Sequence, residues 1–102
     1  MHARVVECQV LPDKLKGFVK AVESMLPKVR KQEGFRTLLV LRGDKKDPAK
    51  AMIVSVWDSL ADMRASEKNL FLYQALSRLM SHSKGLPTIS EREVLLTEYA
   101  AD

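Results

Sequence analysis

Residues 51–57, Ala51-Met52-Ile53-Val54-Ser55-Val56-Trp57, constrain the fold more than any other stretch of the chain. They read as a β-strand, and that strand is apolar on both faces. Ile53 and Trp57 fall on one side, and Met52, Val54 and Val56 on the other. An antiparallel sheet with one face in water alternates apolar with polar residues. This strand does not, so both of its faces need a cover.

The flanking sequence supplies the first cover. Residues 3–11 alternate as a strand, with Val6, Cys8 and Val10 on one side and Val5, Glu7, Gln9 and Leu11 on the other. Pro12-Asp13 stops that strand and opens a helix. Leu15, Phe18, Val19, Val22, Met25, Leu26 and Val29 then follow helical spacing. Pro27 lies inside this stripe and is expected to kink the helix or loosen its last turn. Gly34 closes it. Phe35 to Arg42 reads as a second strand, with Phe35, Thr37, Leu39 and Leu41 against Arg36, Leu38, Val40 and Arg42. The polar turn Gly43-Asp44-Lys45-Lys46-Asp47-Pro48 returns the chain antiparallel. After Trp57-Asp58, Ser59 suits a helix N-cap with Asp62 three residues on. A helix runs from Leu60, breaks at Glu67-Lys68-Asn69, and resumes from Leu70 to about Met80. Residues 81–87 form a loop, and the last strand is expected over 93–99.

This βαββαβ order predicts an α+β, ferredoxin-like fold in one domain, residues 1–102: a four-stranded antiparallel sheet with two helices on one face. The helices leave the other face bare. A second copy of the chain is the simplest cover, through a two-fold contact that uses the same patch twice. A homodimer through the open sheet face is therefore expected.

Composition excludes several alternatives. With 102 residues the chain can bury one core. No apolar run approaches the roughly 20 residues needed to span a bilayer. The start, Met1-His2-Ala3-Arg4-Val5-Val6-Glu7, lacks the apolar segment of a signal peptide, so a cytoplasmic location is expected. Cys8 is the single cysteine, and His2 and His82 are far apart, so neither a disulfide nor a zinc site is expected. The net charge is +4, yet the basic residues are scattered along a helix face and a turn without interleaved aromatics. That argues for a solvated surface and against nucleic acid.

With the element order in place, the chain resembles the antibiotic biosynthesis monooxygenase family. The features that carry this are Gly34-Phe35, a strand, Asp47-Pro48, a strand closing in Trp57-Asp58-Ser59, and an amphipathic helix. The resemblance covers about Ala3 to Tyr99 and implies a dimeric α+β barrel with a ligand between sheet and helices. The family includes cofactor-independent oxygenases of aromatic polyketides, haem-degrading oxygenases, quinol oxygenases and an isomerase of a signalling sugar derivative. Trp57 matches the strand-end Trp of the polyketide oxygenases. Their Asn four residues earlier falls at Ile53, and their helical Tyr at Met63. Their later Arg falls near Ser77 or Arg78, which makes Arg78 its stand-in. For the haem-degrading type the axial His falls near Leu76, which leaves iron without a ligand.

The candidate catalytic residues are thus Glu7, Trp57 and Arg78. Ile53, Ser55, Met63, Phe71 and Tyr73 are candidate ligand contacts. Glu7 is the candidate general base if its strand face is half-buried; the same position also suits a surface charge paired with Arg36 or Arg92. Cys8 fits a small core or interface residue, and His82 a loop residue near the pocket mouth or in solvent. Two functions fit: a cofactor-independent monooxygenase of a planar, electron-rich small molecule, and a non-catalytic dimeric module that binds such a ligand. No cofactor or metal is expected.

Overall fold

A computed structural model of the chain describes residues 1–68 and 71–100, without the Phe71 side chain. Four strands and three helices follow one another as β1 (His2–Gln9), α1 (Leu15–Arg30), β2 (Phe35–Arg42), β3 (Lys50–Trp57), α2 (Leu60–Lys68), α3 (Phe71–Met80) and β4 (Thr88–Glu93), with a 3₁₀ turn at Pro12–Lys14 leading into α1. The strands form one antiparallel sheet in the order β2-β3-β1-β4. This is the α+β, ferredoxin-like arrangement that the sequence predicts. The second helical stretch comes as two helices; its expected start at Leu70 lies outside the described residues.

The helix stripe does what its spacing dictates. Phe18, Val22, Met25 and Val29 of α1 are buried against the sheet. Their sheet partners are Val6, Cys8, Ala51 and Ile53, joined by Leu79 of α3. Pro27 is exposed and α1 runs on to Arg30, so the donor missing at Pro27 affects only the final turn. Gly34 follows with φ +79°, and a Cβ there would land on the Asp62 side chain. Both the left-handed backbone and the close approach demand glycine. Ser59 Oγ accepts the Asp62 N–H at 3.0 Å, which caps α2.

Two expectations about the strands change. A bulge at Arg36 breaks the alternation of β2. Phe35 therefore pairs with Trp57 on the helix-covered face, not with Thr37, Leu39 and Leu41 on the open one. The Phe35 and Trp57 rings meet edge-to-face, 5.5 Å between centroids and 71° between planes. The fourth strand is also shifted: it covers Thr88–Glu93, not 93–99. The ladder with β1 runs from Glu7–Thr88 to His2–Glu93, where β1 begins. One further hydrogen bond, from Val94 N–H to the Met1 carbonyl, closes it. Beyond this, Leu95, Leu96 and Tyr99 are exposed. Arg36 pairs with Asp58, which holds its guanidinium pKa above the ordinary value, and Tyr99 adds a smaller contribution.

The face away from the helices carries Val5, Leu39, Leu41, Met52, Val54 and Val56, with Val54 opposite Val5 on one side and Leu39 on the other. Leu39 is 51% exposed and Leu41 44%.

Candidate functional site

The alternation of β1 and β3 determines which side chains face the helices. On β3 these are Ala51, Ile53, Ser55 and Trp57, all buried. On β1 they are Arg4, Val6 and Cys8. The register places Arg4 directly opposite Ser55, and Val6 opposite Ile53.

A cavity of about 60 Å³ lies between this face and helices α1 and α3. That is several times the roughly 10–15 Å³ a single water needs. Val6, Leu38, Ile53, Ser55 and Trp57 form its floor, α1 contributes Val22, Met25 and Val29, and α3 contributes Leu72, Ala75, Leu76 and Leu79. Arg4 is the one ionisable side chain among these lining residues.

Trp57 is 1% exposed. Its indole N–H donates to Ser55 Oγ at 3.0 Å, which satisfies its polar edge inside the core. The Arg4 guanidinium carbon sits 5.6 Å from the Trp57 ring centroid, within cation–π range. Arg4 itself is 3% exposed. Its Nη2 donates to the Met63 carbonyl (2.7 Å), Ser66 Oγ (3.0 Å) and Glu67 Oε1 (3.1 Å), tying β1 to α2. Burial holds its pKa below the ordinary value, and the Glu67 charge opposes that shift.

The structure brings Ile53, Ser55 and Trp57 together at the cavity. Met63 is fully buried beside it and takes part through its carbonyl, which binds Arg4. Glu7 stands apart. It has the opposite strand parity to Arg4 and Val6, so it projects from the open face, where Lys50 is 3.8 Å away. An exposed pair of this kind is worth well under about 1 kcal/mol. Measured on the monomer, where this face is in water, Glu7→Gln should accordingly leave the urea midpoint within error of the parent. Arg78 lies on the outer side of α3, its Nη1 3.5 Å from Ser24 Oγ. Tyr73 is 65% exposed on the same side. Both miss the cavity because the inward stripe of α3 is Leu72, Ala75, Leu76 and Leu79. The Phe71 side chain lies outside the described residues. His82 is half-buried and packs on Gly17 of α1, away from the cavity. Burial raises the Cys8 thiol pKa, which keeps it protonated in the core, and a hydrogen bond with Ser83 partly opposes this.

Among the described residues, no group of His, Cys, Asp and Glu is placed to hold a metal, and no helix is long and apolar enough to cross a membrane.

A family profile described as antibiotic biosynthesis monooxygenase matches residues 1–70. The chain belongs to this family. No curated protein matches the sequence significantly. Solved structures with the same fold include a candidate antibiotic biosynthesis monooxygenase from Bordetella bronchiseptica, 14% identical with a TM-score of 0.79, covering 93% of this chain and 97% of that one. Another, from Deinococcus radiodurans, is 17% identical with a TM-score of 0.76 and full coverage of both chains (100% each). A protein of unknown function from Nitrosomonas europaea is 16% identical with a TM-score of 0.77, covering 99% of this chain and 95% of that one. At these identities the likeness is one of fold.

Proposed function

We propose that the chain is a homodimeric, cofactor-independent monooxygenase that takes an apolar, planar small molecule into the cavity beside Trp57. The observation that carries this reading is the cavity itself, walled by Trp57 and Ile53 where the family's fold holds its ligands. A site lined mostly by hydrophobic side chains with a few polar groups suits a small organic ligand. The reaction needs little from the protein. For an anthrone-type methylene, O₂ replaces the two hydrogens: one oxygen becomes the product carbonyl and the other leaves as water. The electrons come from the substrate anion, so no external reductant enters.

One observation favours a second reading, a binding module without turnover: among the described residues no carboxylate, imidazole or thiol lines the cavity. Oxygen uptake with a panel of anthrones and hydroquinones separates the two. The enzyme reading predicts consumption well above buffer for at least one substrate. Thermal stabilisation by the same compounds without oxygen uptake would instead establish the binding module.

A further inference from the structure

The polar atoms at the cavity floor are incompletely used. The three hydrogen bonds that Arg4 makes among the described residues leave from Nη2. Its Nε–H is buried and has no acceptor among the described residues. Ser55 Oγ accepts from Trp57 Nε1, which leaves the hydroxyl proton of Ser55 free to be donated. Arg4 and Ser55 are direct cross-strand neighbours on the same face, and both line the cavity. Side chains so paired have Cβ atoms about 5 Å apart, close enough to bind one atom together.

A charged donor buried without an acceptor is costly, and native structures rarely retain one without a use. The structural role of Arg4, tying β1 to α2, is already met by Nη2. It does not account for the free Nε–H or for the adjacent free hydroxyl. We infer that Arg4 and Ser55 form an oxyanion-binding pair, and that the ligand is a weakly acidic phenol or enol held in the cavity as its anion. This rests on the reading of the cavity as a ligand site.

The pair also offsets the lack of a base. On binding, the ligand O–H bond breaks, the electron pair stays on oxygen and the proton goes to solvent. Arg4 stabilises the anion that remains, in an apolar surround where charge-assisted hydrogen bonds are strong. The charges facing Arg4 are Glu67 from α2 and, at longer range, Glu91 from β4, itself paired with Arg64 of α2 at 3.3 Å. Glu67 is bound at Nη2, so it leaves the Nε–H edge to the ligand. The chain has one tryptophan, so quenching of its fluorescence reports a probe beside Trp57.

The test compares para-nitrophenol with para-nitroanisole, which has the same ring but no ionisable oxygen. The pair predicts that the phenolate binds at least about tenfold more tightly than the anisole. It also predicts that the bound phenol ionises about one pH unit lower than the free one, read from its phenolate absorption. Arg4→Gln and Ser55→Ala should each reduce the preference while anisole binding persists. The wild-type ionisation shift requires no variant, so a poorly folding Arg4→Gln does not weaken the test. Equal binding of the two probes, or no ionisation shift, would overturn the oxyanion pair and leave the ligand cavity standing. No quenching by either probe would remove both.

Discussion

Trp57→Ala is expected to lower the stability of the folded chain by about 3–5 kcal/mol, the range for truncating a fully buried aromatic. Trp57 ends a central strand, is almost wholly excluded from water, and meets the Phe35 ring edge-on. Its removal leaves a cavity flanked by strands on both sides, where main-chain hydrogen bonds resist collapse. It also strips Ser55 Oγ of its buried donor and Arg4 of the ring beneath its guanidinium. A domain of this size typically has about 5–15 kcal/mol in total, so the variant should be near its limit of stability. Trp57→Phe should recover most of the packing and lose mainly the indole hydrogen bond, worth about 1 kcal/mol. Urea unfolding followed by circular dichroism at one fixed protein concentration decides the matter, because stability of a dimer depends on concentration. A loss below about 1 kcal/mol for the alanine variant would show that Trp57 is not a pillar of the core.

The fold was largely legible in the sequence because its elements differ in period. The α1 stripe, the polar turn 43–48 and the Ser59 cap each carry a local signal that the three-dimensional structure reinforces. What was illegible depends on pairing. The bulge at Arg36 has no local signature, yet it moves Phe35 to the other face. Residues 94–99 have a better strand pattern than the polar Thr88–Glu93, but pairing follows the available neighbour, and β1 begins at His2. The candidate site was legible on β3, where Ile53, Ser55 and Trp57 share one parity. On β1 the same parity points past Glu7. Arg4 shares its parity with Val6 and Cys8, on the more apolar side of the strand. A charged residue on that face was the signal for a polar group in the core, whereas Glu7 lay on the opposite parity.

The other large effect concerns the open sheet face. Val54→Asp is expected to convert the proposed dimer into a monomer. Val54 sits on a central strand with Val5 and Leu39 as its cross-strand neighbours, so it lies amid the apolar patch rather than at its rim. A standard interface buries about 800 Å² on each partner. Two-fold symmetry places the new carboxylate in that interface twice, and a buried unpaired charge costs several kcal/mol. At about 1.4 kcal/mol per factor of ten, the dissociation constant should rise by three orders of magnitude or more. The helix-side core does not contact Val54, so the monomer should keep its secondary structure and the Trp57 environment, seen as unchanged tryptophan emission. Thr88→Asp, on the edge strand of the same face, should have a much smaller effect. Sedimentation equilibrium of the three proteins at micromolar concentration checks the series. If the parent chain is itself monomeric there, the dimer is wrong. Leu39 and Leu41 would then form an apolar patch that a second copy does not cover.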